Sequence, residues 1–188
     1  LSNHDISWRS TCAQKRVLVL IVADDLGYAD LSAHGSAEIR TPQIDSIATG
    51  GVRCAQGYVS APVCSPSRAG LLTGRHQQRF GHEVNFWNAN ANAGLPPWET
   101  TFVERLRGAG YATGMVGKWH LGKEEAFHPL SRGFEEFFGD PGHGSSYLPD
   151  KDTGIVGKTK FKTIYRFFRN REEVEVQEYL TDVLAREA

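Results

Sequence analysis

The chain has 188 residues, 40% of them hydrophobic and 23% charged, which is the composition of an ordinary globular domain. Its formal net charge is only −1, so it lacks the basic field that attracts nucleic acid. No apolar run is long enough to span a bilayer. The three cysteines fit neither a zinc pattern nor a disulfide framework, and a single Cys12–Cys54 bridge stays open.

The N-terminal part predicts a central strand. Residues 1–14 are polar and aperiodic, which predicts a disordered lead-in, and no clear signal-peptide pattern is present. The run RVLVLIVADD, residues 16–25, is typical of a parallel strand that is buried on both faces.

Two short elements are predicted next. The segment TPQIDSIATGG predicts a helix with Thr41 at its N-cap and with Ile44 and Ile47 facing inward. The segment VRCAQGYVS, residues 52–60, is a second strand candidate. The segment SPSRAGLLTG then predicts a helix with Ser65 as N-cap, followed by proline at the first helical position.

The second half alternates in the same way. Thr101 and Glu104 form a capping-box pattern before an amphipathic helix. The remaining predicted elements, in chain order, are a loop over 85–97, a strand within YATGMVGKWHLG, a mostly loop region over 123–154, a hairpin turning near Asn170 and a final helix in EYLTDVLAREA. Alternating strands and helices indicate an α/β fold, whose ligands lie beyond the carboxyl ends of the strands. Asp24, Asp25, Lys118 and His120 lie at such ends.

Asp24 and Asp25 suggest a cation site. Adjacent carboxylates after a buried strand repel each other unless a cation or an arginine balances them. Hard oxygen ligands favour Ca²⁺ or Mg²⁺ over zinc. The alternative is a helix N-cap followed by an acidic residue in the first turn.

Cys64 lies at the predicted start of a helix. Backbone N–H groups and the helix dipole favour anions there and lower the pKa of a thiol. Arg68, four residues on, reaches the same site. Cys64 is therefore a candidate nucleophile, modification site or neighbour of an anion site, and the alternative is a small buried hydrophobic residue.

Lys118 and His120 form a second candidate pair. In an extended segment these two side chains point to the same face, which would place a cation beside an acid–base group. The alternative is a surface lysine with a packed histidine. His34, His76 and His82 could line a pocket, but each is better interpreted as a polar surface or loop residue.

The stretch CSPSRAGLLTGR combines the pattern Cys-x-Pro-x-Arg with a helix of small residues and Leu-Leu-Thr-Gly-Arg. Further sequence blocks are ADDLGYADLSAHG, TPQIDSIATGGV, AGYATGMVGKWHLG, RGFEEFFG and the helix EYLTDVLAREA. Taken together and in this order, these blocks closely resemble the type I, formylglycine-dependent sulfatases of the arylsulfatase kind. The resemblance covers roughly residues 15–188. It implies an alkaline-phosphatase-like fold with a mixed, mostly parallel sheet and helices on both faces.

The resemblance also implies a mechanism and site roles. Cys64 would be oxidised to formylglycine by a formylglycine-generating enzyme, and one hydroxyl of the hydrated aldehyde would attack the sulfur of a sulfate ester. Arg68 would steady the formylglycine oxygens, Lys118 would neutralise charge on formylglycine and sulfate, and His120 would hydrogen-bond the hydroxyl. Asp24, Asp25 and Cys64 would hold Ca²⁺, with Mg²⁺ as an alternative.

Family members are considerably longer, so residues 15–188 are interpreted as the N-terminal part of the catalytic domain, inactive alone. The final helix lacks a stop signal, in keeping with this interpretation. Substrates would be aryl sulfates or sulfated carbohydrates, and a periplasmic, secreted or lysosomal location is favoured. The alternatives are a phosphodiester or phosphonate hydrolase of the same superfamily and an inactive fragment or pseudoenzyme.

Overall fold

The computed structural model describes residues 16–86, 93–142, 144, 155–156, 159–160 and 167–188. The predicted lead-in over 1–14 lies outside the described residues. The chain divides into two compact units, Leu1–Arg53 and Cys54–Ala188, and each is described here by itself.

Helix α1, Pro42–Gly50, organises the first unit and confirms the predicted helix. Thr41 occupies the N-cap, but its hydroxyl donates to Asp45 Oδ1 at 2.9 Å instead of capping a backbone N–H. The hydroxyl of Ser32 donates to Asp45 Oδ2 at 2.6 Å, and this bond is the main reason why the pKa of Asp45 is lowered. The prediction for Ile44 and Ile47 was wrong, because these side chains are 46% and 64% exposed.

Neither strand predicted in the first sixty residues is present. Residues 17–23 and 52–60 have no strand conformation. Side chains from Val17 to Val22 are 45–89% exposed. A strand forms by pairing with a neighbour, and no described residue forms a ladder with either segment.

The second unit contains a four-stranded mixed sheet. The strands are β1 (Gly114–Lys118), β2 (Glu136–Asp140), β5 (Phe167–Arg169) and β6 (Glu172–Val174), in the order β1-β2-β5-β6. β1 and β2 are parallel, and the other two pairings are antiparallel. A separate two-stranded pairing joins β3 (Ile155–Val156) to β4 (Thr159–Lys160).

The sheet bears on two predictions, the hairpin near Asn170 and the loop region over 123–154. The hairpin turn at Asn170 is confirmed, since Asn170 has φ 57° and lies between β5 and β6. The prediction of mostly loop over 123–154 missed β2. This strand is buried from Phe137 onwards, so its pattern lacks the alternation of a half-buried strand.

The described residues of this unit contain the α-helices α2 (Cys64–Thr73), α3 (Phe102–Gly108) and α4 (Leu180–Glu187). The capping box of α3 is confirmed, with Thr101 Oγ1 accepting from the N–H of Glu104 at 3.1 Å and Glu104 Oε2 accepting from Thr101 at 2.8 Å. The N-cap of α2 is Val63, so the assignment of that role to Ser65 was wrong. None of the described helices has the length and apolarity needed to cross a membrane.

Two apolar clusters fix the sheet and its helices. The larger cluster contains Ala69, Leu72, Leu95, Val103, Trp119, Leu121 and Phe137. The smaller cluster contains Phe138, Phe167, Leu180 and Val183. The larger one joins α2 and α3 to the residues that follow β1, so the second half of α2 and the carboxyl end of β1 are both anchored to the same core.

Candidate active site

The candidate site of the second unit starts with Cys64, the first residue of α2. Its side chain is half-buried. The next two residues, Ser65 and Pro66, are almost completely inaccessible. Because the first turn of a helix has N–H groups without helical partners, a group at residue 64 lies where negative charge is favoured.

Arg68 connects α2 to the end of β1. It lies four residues after Cys64, on the same side of the helix. Its Nη1 donates to the backbone carbonyl of Lys118 at 2.5 Å. The structure thus brings two of the predicted site residues of the second unit into direct contact and ties the turn that carries Cys64 to the strand that carries Lys118.

Lys118 and His120 are placed by the backbone at the carboxyl end of β1. Lys118 is the last residue of the strand and lies opposite Asp140 of β2. The N–H of Trp119 donates to the carbonyl of Asp140 at 2.9 Å, and that of His120 to the carbonyl of Pro141 at 3.3 Å. His120 is 5% exposed and has φ 59°. The prediction for this pair assumed an extended backbone from Lys118 to His120. The extended backbone ends at Lys118.

Two glycines allow these strand ends to approach. Gly117 and Gly139 face each other in the parallel pairing. A Cβ on Gly139 would lie 1.8 Å from the carbonyl oxygen of Gly117, a distance at which two atoms overlap. The position of Lys118 therefore depends on the absence of a side chain on the neighbouring strand.

Asp24 and Asp25 belong to the first unit. They form a turn directly after the apolar segment 17–23, but the buried strand at whose carboxyl end they were predicted to lie is not formed. Two adjacent carboxylates provide hard oxygen donors, and this donor set suits Ca²⁺ or Mg²⁺.

A hydrogen-bonded pair beside Cys64 was not predicted. Ser65 Oγ lies 2.6 Å from His82 Nε2, and both side chains are at most 1% exposed. The N–H of Ser65 donates to Asn85 Oδ1 at 2.9 Å. His82 lies in a loop, as one part of its interpretation had it, but a surface position was wrong, because its ring is buried against Phe86 at a centroid distance of 4.5 Å. Burial lowers the pKa of His82 to about 4.

The other histidines and cysteines carry less chemistry. His76 is exposed, and His34 stacks on Tyr28 with a centroid distance of 4.2 Å. Cys54 is an exposed thiol that forms no disulfide with a described residue. Its suggested partner, Cys12, lies outside the described residues.

Known proteins with similar sequences and folds identify the family of this chain. The sequence model of the Sulfatase family matches residues 16–188. Human arylsulfatase D is 46% identical over 141 residues, which is 69% of this chain and 24% of that protein. The chain thus spans about a quarter of the length of this curated relative.

Solved structures give the same fold. The crystal structure of Ps i-CgsB is 39% identical, with a TM-score of 0.80 over 89% of this chain and 39% of its own. BT4656, solved in complex with its substrate D-glucosamine-2-N,6-O-disulfate, is 25% identical, with a TM-score of 0.63 over 85% of this chain and 27% of its own. The mixed sheet with its helices is therefore part of an alkaline-phosphatase-like domain. From this fold and the family match, which covers nearly the whole sequence, the chain belongs to the sulfatase family.

Proposed function

We propose that the protein carrying this chain hydrolyses sulfate esters, with Cys64 as the precursor of its nucleophile. The bond from Arg68 to the carbonyl of Lys118 carries the proposal. It links the helix that starts with Cys64 to the strand end that carries a cationic side chain. A nucleophile at a helix N-terminus, flanked by an arginine and a lysine, is suited to an anionic substrate.

Oxidation of Cys64 to formylglycine supplies the chemistry that a thiol lacks, because its hydrate offers one hydroxyl for attack and a second for release of the product. Arg68 lies on the same side of α2 and holds the residue-64 oxygens in place. Lys118 neutralises negative charge on the bound ester. His120 hydrogen-bonds the residue-64 hydroxyl and accepts its proton when sulfate leaves.

Asp24 and Asp25, together with residue 64, are the proposed ligands of a Ca²⁺ ion, with Mg²⁺ as the alternative. The support is the donor chemistry of the turn at residues 24–25 and the sequence resemblance. A bound divalent cation supplies positive charge that lowers the pKa of a nearby hydroxyl and gathers substrate oxygens.

The proposed substrates are aryl sulfates and sulfated carbohydrates. BT4656, a structural relative, has a disulfated glucosamine as its substrate. We also propose that a formylglycine-generating enzyme is a partner during maturation, and that the protein works outside the cytoplasm. Residues 15–188 are proposed to form the N-terminal part of the catalytic domain, with no turnover of their own.

The test is expression of the full-length protein together with a formylglycine-generating enzyme. Mass spectrometry should find an aldehyde at residue 64. Hydrolysis of 4-nitrophenyl sulfate should fall at least about a thousand-fold in Cys64→Ala. Cys54→Ala is the matched control, because that thiol is exposed and outside the site, and it should keep its activity.

Two results would contradict the proposal. One is an unmodified thiol at residue 64 in a purified protein that still turns over the sulfate ester. The other is a higher kcat/KM for an aryl phosphodiester than for the aryl sulfate, which would assign the protein to phosphoester hydrolysis instead.

A further inference from the structure

Residues 82–85, which follow α2 in the chain, hydrogen-bond to the first turn of that helix. After the 3₁₀ helix Gln77–Phe80, the chain turns at Gly81, and the N–H of His82 donates to the carbonyl of Gln77 at 3.0 Å. This turn brings His82 and Asn85 back to the first turn of α2. Both then hydrogen-bond to one residue, Ser65.

The two bonds restrain Ser65 in different ways. Asn85 Oδ1 accepts the N–H of Ser65 at 2.9 Å, which satisfies a backbone donor that has no helical partner. His82 Nε2 lies 2.6 Å from Ser65 Oγ within a site that is closed to solvent. The hydroxyl of Ser65 is therefore held inside the protein, and the residue before it, Cys64, is left at the half-buried end of the turn.

We propose that His82 and Asn85 are positioning residues for the reaction at residue 64. They act through Ser65 and touch neither the substrate nor the reacting atoms. By fixing the backbone of the first turn, they set the direction in which the residue-64 group faces the substrate. This inference rests on the proposed function.

A positioning role predicts a loss in kcat with little change in KM, because the binding groups stay in place while the nucleophile is misaligned. Displacement of a reacting group by about 1 Å reduces the rate by about ten- to a hundred-fold. Asn85→Ala should show this loss per formylglycine-containing site. Asn85→Asp retains an acceptor oxygen at the same position and should restore most of the rate.

The experiment uses the full-length protein, with kcat for 4-nitrophenyl sulfate divided by the formylglycine content of each variant. The variants are Asn85→Ala, Asn85→Asp and His82→Ala. The matched control is Glu83→Gln, because the side chain of Glu83 is exposed and its substitution leaves the backbone of the segment unchanged. Asn85 is only half-buried, so Asn85→Ala leaves the core intact. Hydrogen exchange of the Ser65 amide provides a readout that is independent of activity and should accelerate at least about ten-fold in Asn85→Ala.

Three outcomes would overturn the inference. They are unchanged exchange of the Ser65 amide in Asn85→Ala, faster exchange with wild-type kcat, and a loss of rate that Asn85→Asp does not restore. Failure of the proposed function looks different. In that case the wild-type protein contains no formylglycine or does not hydrolyse the ester, while the exchange measurement still decides whether Asn85 holds the turn.

Discussion

At the scale of single residues, His82 links burial to pH. Its folded-state pKa is about 4, below the ordinary value of 6.5, because burial disfavours the charged ring. The unfolded chain therefore binds more protons between these two values. The contribution of His82 to stability is fully present above about pH 6.5, falls as the pH drops towards 4, and levels off below that.

We expect His82→Gln to lose this pH dependence. The wild-type free energy of unfolding should fall between pH 7 and pH 4 by on the order of 3 kcal/mol more than that of the variant. Urea denaturation at several pH values measures the difference. His76→Gln, at an exposed position, is the control and should follow the wild type. Parallel curves for wild type and His82→Gln would show that the ring does not titrate in this way.

Arg132 is a buried charged residue that holds several polar groups of the second unit. Its side chain donates to the carbonyls of Leu95 at 2.7 Å and Glu99 at 2.5 Å, and to Glu104 Oε1 at 3.1 Å. The residue is 1% exposed. Three residues of the second unit thus have an acceptor oxygen satisfied by a single guanidinium.

Arg132→Met should lower the free energy of unfolding by about 3–5 kcal/mol, since it leaves buried acceptors without a donor. Arg107→Met is a matched control. Arg107 pairs with Glu135 at 3.7 Å on the surface, where both side chains are about half exposed, and its loss should change stability by less than about 1 kcal/mol. Equal effects of the two substitutions in chemical denaturation would contradict this reading of Arg132.

Some of these residues could be predicted from the sequence and others could not. Cys64 and Arg68 are four residues apart, and a helix converts that spacing directly into proximity. Ser65 and His82 are 17 residues apart, and their contact depends on a turn at Gly81. No sequence pattern predicted where the chain runs after this turn. Side chains that meet through tertiary packing leave no local periodicity.

At the scale of elements, the parallel pair β1–β2 depends on the contact between Gly117 and Gly139. Gly139→Ala would place a methyl group 1.8 Å from the Gly117 carbonyl oxygen, and two backbones, which cannot rotate away, would have to separate. We expect a loss of more than about 3 kcal/mol or failure to fold. Gly114→Ala, in the neighbouring strand β1 with open space around it, should be tolerated. Comparable thermal melting of both variants would refute the contact.

The elements that were predicted correctly are marked by local patterns within their own sequence. The capping box at Thr101 and the turn at Asn170 are local, and both helix α3 and the β5–β6 hairpin are present. The predicted strand over 17–23 depended on pairing with another segment, and none of the described residues supplies one. Apolar composition shows that a segment is suited to a buried strand, but the partner must come from elsewhere in the protein.

At the scale of the whole molecule, the segment 17–23 exposes a large apolar surface. Val17, Val19 and Ile21 are 89%, 74% and 77% exposed. An extended apolar segment with unpaired backbone is prone to associate with other copies. We therefore expect residues 1–188, expressed alone, to self-associate and to hydrolyse no aryl sulfate.

Light scattering and size-exclusion chromatography test this expectation. In the isolated chain, Val19→Lys should reduce self-association, because it puts a charge in the middle of the apolar run. Glu38→Lys, an exposed position in the same unit, is the control and should leave association unchanged. A monodisperse wild-type chain with measurable turnover would refute both parts of the prediction.

Ser65 and Pro66 are inaccessible in the folded protein, which bears on whether modification of Cys64 precedes or follows folding. An enzyme that recognises the residues after Cys64 must reach side chains that the folded protein encloses. Serine, proline and glycine give α2 a weak helical tendency of its own, so we expect the segment to be accessible on the newly made chain. Under the proposed function, folding then ends the period in which Cys64 can be converted to formylglycine. A mutation that speeds the collapse of the second unit would lower the proportion of converted molecules, even if it improved their stability.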